Sequence, residues 1–560
     1  MGMVSKLLTS KRTLCTCKTT LASFEIMCFQ KASLKTCLRI NAFLRKTFLY
    51  IPVLSISLMT PDIISYAVKN GFIWGPEPEI YGGSAGFYTF GPLGKLLKNN
   101  AENALRSVFI KNNFWEVECP SVMPKRVWEA SGHVGGFTDP LIKDVDGNVY
   151  RADKIIQDWA EKNGKDYDTL GINEKDFDQL RRVISKNKIK APNSKTLVPE
   201  VTAHDLMMKT VLGYDTEAYN RPETATTTYL PFNRYYDFFR KKVPFGVFQI
   251  GKAFRNEISP RQNVLRGREF TQAEAQLFIT PEFENKFESF TEVSKKELPL
   301  WDWKAQKSKK SVILRTVGNA IEKKIVKKQA YAWCLYVAYC ALEEMGFPKE
   351  KIRFRQHFPD EMAHYADDAW DLEVKTNTFG WVEVCGVHDR TDYDLKRHAE
   401  FSGQKMLTED KRVPHILEIA FGPDRLTFCL IDLFVREEKE RTVFKIPQKM
   451  APIKAAVFPL VKKDGLPNLA KKVYETLLDE GIIASFDMTG SIGRMYRRMD
   501  EKGTPYCITI DFDSLKQKTV TVRDRDSMKQ RRITIDELAQ SIKELVLGKK
   551  KFSHVGSAVT

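Results

Sequence analysis

The sequence predicts two folded units, a large α+β unit over residues 59–445 and a smaller α/β unit over 451–547. Three observations predict this. The chain is 560 residues long, 43% hydrophobic and 28% charged, with no repeats or low-complexity tract, which suits two to four domains with real cores. From residue 451 onward, strand and helix signals alternate plainly. In the large unit the stretch FRNEISPRQNVLRGREFTQAEAQLF, residues 254–278, alternates with a period of two and reads as two strands, not as a charged helix face.

Residues 1–58 are a leader expected to be disordered. They hold nine Lys and Arg against the single acid Glu25, and so carry +8 of the formal net charge of +17. The leader is acid-poor, rich in Ser and Thr, and ends in an apolar run too short to span a bilayer comfortably. It reads either as an organellar transit peptide or as sequence upstream of a true start at Met59. The second reading predicts a cytoplasmic protein and the first an organellar one; neither predicts a membrane protein. The basic balance favours a polyanionic partner, most simply nucleic acid. Beyond the leader, Cys119, Cys334, Cys340, Cys385, Cys429 and Cys507 are scattered in apolar surroundings with no CxxC pair, which predicts reduced thiols and neither a disulfide framework nor a zinc site.

Within the large unit, residues 91–113 predict a helix after a Gly-Pro turn, and FWEVECPSVMP a strand stopped by Pro120. Two stretches read as insertions with solvated surfaces, the Asp/Lys-rich residues 141–200 and the basic residues 299–330. Residues 414–435 predict a strand, a Gly-Pro turn and a helix with Leu426, Cys429, Leu430, Leu433 and Phe434 as its core stripe. KIPQKMAPIK is the linker. The smaller unit reads strand, helix closed by Gly481, strand, helix, two strands and a last helix capped by Thr534 with Glu537. The tail from residue 548 is expected to fray.

Chemistry concentrates in 254–278. Gly251 and Ala253 precede Arg255 and Glu257 on one strand face, where small residues beside a cation leave floor space for a ligand. Arg is the natural partner of phosphate. The loop 258–265 brings Arg261, and the return strand offers Phe270 as a flat surface for a heteroaromatic ring, with Arg266 and Arg268 beside it and Glu274 further on to take an ammonium group. Arg425 lies in the first turn of its helix, where a cation opposes the helix dipole; a bound anion would give it a reason to be there.

Arg255-Asn256-Glu257 with Phe270 resembles motif 2 of the class II aminoacyl-tRNA synthetases. Gly422 through Arg425 resembles motif 3, and the helix–strand stretch ending at Pro120 resembles motif 1. EIYGGSAGFYTFGPLG (80–95), MPKRVWEASGHVGGFTDPL (123–141), RPETA (221–225), GWVEVCGVHDRTDYDLKRH (380–398) and SIGRMYRRMDEKGTPYCITIDFD (491–513) are similar to the glycyl-tRNA synthetases of the homodimeric archaeal and eukaryotic type. The resemblance runs from about residue 60 to 547. It implies an α+β catalytic domain built on an antiparallel sheet (the class II synthetase fold), a C-terminal α/β anticodon-binding domain with a mixed sheet, and a homodimer formed through the motif 1 region. It also implies activation of glycine by ATP to glycyl-adenylate with release of pyrophosphate, then transfer of the glycyl group to the 3′ end of tRNA(Gly) with release of AMP.

By the same resemblance Arg255 contacts the α-phosphate, Phe270 stacks on adenine, Arg425 covers the ring's other face and reaches the γ-phosphate, Arg266 contacts a phosphate, and Glu257 lies near the adenine amino group. Glu383 is implied at the Mg²⁺-bound ATP. Glu223, Glu274 and Glu418 are implied around the glycine ammonium, and Arg390 at its carboxylate. Arg494, Arg497, Arg498, Arg523 and Arg525 are candidates for tRNA contact, and the basic 299–330 stretch for the acceptor stem. The chain departs from the family pattern at Thr226 and Thr227, where Gln-Gly is usual, and at Ala420, where Ser is usual. Many relatives carry cysteine pairs in the insertion after motif 1; this chain has none there, so no zinc is expected. The rival readings are a class II synthetase for another small amino acid and a non-catalytic synthetase-like nucleic-acid-binding subunit.

Overall fold

The computed structural model describes residues 62–559 apart from 166–169, 174–175, 259, 261–262 and 363–365. The leader and Arg261 lie outside the described residues. The helix after the Gly-Pro turn is α1 (Pro92–Lys111), with Pro92 at its first position. Among the described residues nine strands then build one sheet. They are β1 (Phe114–Glu116), β2 (Phe245–Phe254), β3 (Glu269–Ile279), β4 (Glu297–Trp301), β5 (Ile313–Thr316), β6 (Ile352–Gln356), β7 (Asp368–Lys375), β8 (Trp381–Asp389) and β9 (His415–Phe421). Their spatial order is β5-β4-β6-β7-β8-β9-β3-β2-β1. Only β4–β6 and β2–β1 pair in parallel, so the sheet is largely antiparallel, as expected.

One face of this sheet is covered by α1, α2 (Gln329–Met345) and α3 (Pro423–Phe434). Alternation on β3 sets the division. Ala273, Ala275 and Leu277 join the helix-side core, while Gln272, Glu274 and Gln276 point to the opposite face. α2 is buried almost all round, from Ala330 to Met345. Each fully buried Leu, Val or Phe of this layer contributes about 1.5–3 kcal/mol. Most of the unit's apolar burial lies on the helix side; the other face carries a smaller cluster around Phe232, Phe245, Val247, Phe278 and Ile416, and polar groups beyond it.

Three expectations of the large unit are corrected. The strand around Pro120 splits in two. β1 pairs with β2, but Val122–Pro124 pairs with Thr216–Asn220 in a separate sheet. Pro120 has no N–H to give a ladder, and Cys119 N–H turns instead to the Gln249 side chain at 3.4 Å. Residues 299–330 are not merely solvated surface. They supply most of β4 and all of β5, and Leu300, Val317, Ala320 and Val326 join the core. The apolar residues spaced among the lysines carried that information. The polar stretch 141–200 does stand apart, but with a core of its own built from Ile142, Ile155, Ile156, Leu180, Ile184 and Leu197.

After the hairpin β10 (Val435–Glu437) and β11 (Thr442–Phe444), the smaller unit runs β12 (Ala455–Pro459), α4 (Leu466–Asp479), β13 (Ala484–Phe486), α5 (Ile492–Lys502), β14 (Tyr506–Ile510), α6 (Phe512–Gln517), β15 (Thr519–Asp524), β16 (Gln530–Thr534), α7 (Ile535–Val546) and β17 (Ser557–Ala558). The sheet order is β13-β12-β14-β15-β16-β17, parallel about β12 and antiparallel beyond β14, a mixed sheet as expected. Thr534 caps α7 by accepting from Glu537 N–H, but the Glu537 carboxylate answers to the Thr534 hydroxyl at 2.8 Å, so the capping box is half formed. The tail is ordered, against expectation. β17 pairs with Arg531 and Arg532, Val555 is buried, and Phe552 stacks on Tyr506 with centroids 6.2 Å apart. Deleting residues 549–560 is expected to destabilise the chain by about 2–4 kcal/mol, from the lost burial of Val555 and part of Phe552. A urea denaturation midpoint unchanged by the deletion would show that the tail contributes nothing.

Candidate active site

The polar face of the sheet opens into a cavity of about 290 Å³, at the small end of ligand sites. All ten residues expected to meet ATP, magnesium or glycine line it: Arg255, Glu257, Arg266, Phe270, Glu383 and Arg425 on one side, Glu223, Glu274, Arg390 and Glu418 on the other. Strand register assembles the floor. Gln249 faces Glu274, Glu274 faces Ala420, and Ala420 faces Gly386, in one row across four strands. Glu418 sits between Gln276 and His388 in the next row.

On the first side, Arg255 lies just past the end of β2. Its Nε donates to the Pro222 carbonyl at 3.0 Å, and its guanidinium stands 5.5 Å from the centre of the Phe270 ring. Arg266 donates from Nε and Nη2 to Glu257 Oε2 at 2.9 and 2.6 Å. Arg425 donates to the Leu265 carbonyl at 3.0 Å and the Glu383 carbonyl at 2.9 Å, and pairs with the Glu383 carboxylate at 3.3 Å. Arg268, expected beside Phe270, does not line the cavity. It clamps the Glu257 and Ala85 carbonyls at 2.9 and 3.1 Å.

Beneath this side lies a buried cation that sequence reasoning missed. Lys98, on α1, reaches Asp424 Oδ1 at 2.5 Å and Thr271 Oγ1 at 2.6 Å, and Thr271 N–H donates to Asp424 Oδ2 at 3.0 Å. Burial pulls the Lys98 pKa down, and Asp424 opposes that pull. The tie holds the neighbours of Phe270 and Arg425 together. In sequence, Lys98 with Glu102 looks like an ordinary i,i+4 helix pair, and nothing points to Asp424, over three hundred residues away.

On the second side three carboxylates share a buried space. Glu418 accepts from Tyr229 Oη at 2.9 Å and Gln276 Nε2 at 3.0 Å, and lies 3.1 Å from His388 Nδ1 and 3.5 Å from Arg390 Nη1. Burial alone would raise its pKa, but Arg390 and His388 bring it down to about 2. Glu223 is likewise held low, against its burial, by His133, Arg390 and Arg255. Glu274 goes the other way. Burial, Glu418 and Glu223 push it up to about 8, against a hydroxyl bond from Thr224 at 2.5 Å. Near neutral pH the cluster thus holds two carboxylates, one carboxylic acid and one guanidinium. Arg390 does not stand apart at an opposite end. It is buried among the acids, paired with Asp394 at 2.8 and 3.0 Å.

Gly251 does not leave ligand space. A Cβ there would lie 2.2 Å from Arg221 Nη2, so the missing side chain makes room for a buried guanidinium. Arg221 bonds the Lys252 and Cys119 carbonyls, Thr227 and Gln249. The substituted threonines join this scaffold. Thr226 donates to Glu223 at 3.2 Å, and Thr227 donates to the Thr224 carbonyl at 2.9 Å.

In the smaller unit α5 presents Arg494 exposed and Arg497 and Arg498 partly exposed. Arg498 pairs with Asp487, and Arg497 stands 3.6 Å from Glu440. Arg523 and Arg525 are corrected: both are buried, Arg523 on Asp500 and Arg525 on the Gly503 and Ile446 carbonyls. They do not present to RNA. Among the described residues Glu284, Asp389 and His415 have metal-ligand spacing, but the Lys328 ammonium already sits 3.1 and 2.7 Å from the two carboxylates.

The raised pKa of Glu274 has a thermodynamic consequence. The folded chain binds that proton more tightly than the unfolded chain, so this group's contribution to stability declines as pH rises from the ordinary carboxylate range toward 8. Between pH 6 and 8, wild type is expected to lose roughly 2–3 kcal/mol relative to Glu274→Gln. Parallel urea-denaturation stabilities of the two proteins across that range would rule out a neutral Glu274.

Residues 214–434 match the tRNA synthetase class II core domain (G, H, P, S and T), and residues 454–545 match the anticodon binding domain. The chain is 38% identical to the glycine–tRNA ligases of Methanococcus maripaludis and Methanocaldococcus jannaschii, over 86% of its own length and 99% and 98% of theirs. It is 36% identical to the glycine–tRNA ligase of Pyrococcus horikoshii, covering 97% of that protein. Its fold is similar to a crystal structure of prolyl-tRNA synthetase from Cryptosporidium parvum, with a TM-score of 0.51 at 13% identity over 87% of this chain and 77% of that one. With a class II core, an anticodon-binding domain and such relatives matched nearly end to end, the chain belongs to the glycine–tRNA ligase family.

Proposed function

We propose that the protein is a glycine–tRNA ligase. The supporting observation is the division of one cavity into an arginine-rich, aromatic side and a compact carboxylate side, on a chain of this family. ATP lies with adenine on Phe270 and its phosphates among Arg255, Arg266 and Arg425. Those guanidiniums neutralise charge that builds as a glycine carboxylate oxygen bonds to the α-phosphorus and the bond to pyrophosphate breaks. Arg266 exchanges its partner Glu257 for phosphate, which frees Glu257 to accept from the adenine amino group. Glu383, half exposed at the rim, would offer oxygens to magnesium, which when bound neutralises the leaving pyrophosphate. The terminal tRNA hydroxyl then attacks the glycyl carbonyl and AMP departs.

Glycine recognition is subtractive: the pocket gains nothing from a side chain and must hold the ammonium while excluding bulk. Glu223, Glu274 and Glu418 supply that hold. Arg390 balances part of their charge and orients them, and so acts on the ammonium side. Arg494, Arg497 and Arg498 on α5 are the arginines placed to meet the anticodon arm of tRNA(Gly). A homodimer is supported at the motif 1 edge of the sheet. There Ile110, Trp115 and Phe238 are 57, 56 and 65% exposed beside the terminal strand β1, an apolar patch that a second copy would cover. No described helix is long and apolar enough to cross a membrane.

ATP–pyrophosphate exchange tested across small amino acids is expected to respond to glycine; exchange with alanine or proline but not glycine would overturn the assignment. Arg255→Ala should lose at least a hundredfold in that assay. The KM for glycine should fall as pH rises from 6.5 to 8.5, because the ammonium replaces the proton on Glu274, and Glu274→Gln should raise KM and remove the pH dependence. Lys98→Gln should raise the KM for ATP with little change in that for glycine. An equal rise in both would mean that Lys98 supports the fold and not the nucleotide side.

A further inference from the structure

At the junction of the two units one carboxylate is shared by three guanidiniums. Asp500, on α5, is fully buried. It accepts from Arg441 Nη1 at 2.8 Å and from Arg523 Nη1 and Nη2 at 2.8 and 3.1 Å, with Arg497 Nη1 at 3.8 Å. Arg441 stands in the β10–β11 hairpin, which leaves the catalytic unit directly after α3. Arg523 is on β15 of the smaller unit. The bond therefore spans the junction. Its surroundings are built to the same end. Arg441 also donates to the Arg525 carbonyl at 2.9 Å, and Arg525 returns a bond to the Ile446 carbonyl at 2.8 Å. Gly503, which ends α5, lies so close to the hairpin that a Cβ would stand 2.8 Å from the Phe444 ring. One residue past Asp500, the Glu501 carbonyl accepts from the hydroxyl of Tyr66, on the helix Ile63–Lys69 that precedes α1.

A buried ion cluster of this kind is seldom retained for stability alone, since apolar residues of equal volume often do as well. What it provides is a single geometry. The helix it fixes is α5, which also carries the exposed Arg494 and the partly exposed Arg498, with Arg497 between the cluster and the hairpin. We propose that Asp500 is a positioning residue for tRNA charging. It locks α5 to the hairpin of the catalytic unit, and so sets the separation between the surface that reads the anticodon arm and the cavity that receives the 3′ end. The proposal rests on the ligase reading above.

The test separates the two half-reactions in the full-length protein. With Asp500→Asn, which keeps shape and removes charge, glycine-dependent ATP–pyrophosphate exchange should stay within twofold of wild type, while kcat/KM for charging full-length tRNA(Gly) should fall at least tenfold. Charging of an RNA hairpin that reproduces only the acceptor stem should change less than twofold, because that substrate never spans the junction. Arg441→Gln removes the catalytic-unit partner while leaving Asp500 paired with Arg523, and should give the same pattern; it serves if Asp500→Asn does not fold. Unimpaired charging of full-length tRNA by a folded variant would overturn the proposal, as would equal losses on tRNA and hairpin. A wild type that exchanges glycine but charges no tRNA overturns both the ligase reading and this proposal.

Discussion

The register of β3 between β2 and β9 is the constraint on which the rest of this structure depends. Because side chains alternate, Ala273, Ala275 and Leu277 must meet the helix layer if Glu274 is to face the cavity. A slip by one residue would drive Glu274 into the apolar core and put the alanines where the ammonium site is proposed. The same register sets Glu274 beside Ala420 and Gly386, so the floor of the site and the packing of α1, α2 and α3 are two consequences of one pairing. Alanine at 273 and 275 also keeps the core side of β3 shallow and lets α3 approach with Arg425 at its first turn. The geometry of both sides of the cavity thus follows from hydrophobic burial on the face that no ligand touches.

Charge is organised by depth. Exposed pairs such as Lys241 with Glu409 contribute little, because solvent screens them. The buried sets differ in kind, because each ion there has lost its water and persists only with partners in place. Three such sets recur at joints: Lys98 with Asp424 under the nucleotide side, Arg390 with Glu418 and Asp394 in the carboxylate side, and Asp500 with Arg441 and Arg523 between the units. Each ties together separate elements, from the span of over three hundred residues between Lys98 and Asp424 down to the single turn from Arg390 to Asp394. Arg221 does similar work without a carboxylate. It fills the notch left by Gly251 and ties the Lys252 and Cys119 carbonyls to Thr227 of the 221–228 turn.

The legible part of the sequence was local. Helix signals and period-two alternation located α1, α3, the β2–β3 pair and the elements of the smaller unit, while the long α2 went unread; of the ten expected residues that line the cavity, Glu223, Glu383, Arg390 and Glu418 came only from the family resemblance. The failures share one physical origin, a partner distant in sequence. Arg523 lies in β15 and Arg525 just past its end, where the alternation reads as charged-out; Asp500 buries the first, and the second is held by the Gly503 and Ile446 carbonyls together with the adjacent Asp526. Gly251 looked like ligand space because Arg221 could not be placed opposite it. The lysines of 299–330 masked the apolar residues that let β4 and β5 extend the main sheet. The tail looked frayed because Val555 is one apolar residue among polar ones, and the cleft that receives it is built by β16 and the helices beside it.

The carboxylate pocket shows how a site can be hostile to charge and still select it. Three ionised acids in one buried space would repel each other, and the single guanidinium of Arg390, already committed to Asp394, cannot balance them all. The structure resolves this by keeping a proton on Glu274 while Glu223 and Glu418 stay ionised. In the proposed reading a bound ammonium would supply the positive charge that the proton supplied before, so the group that relieves the empty pocket would become a ligand in the full one. A neutral molecule of glycine's size offers no such exchange and would leave the proton where it is. On that reading selectivity for a small cation would come from the electrostatic cost of the empty site; Thr224 and Thr226 hold Glu274 and Glu223 by their hydroxyls against side-chain rotation.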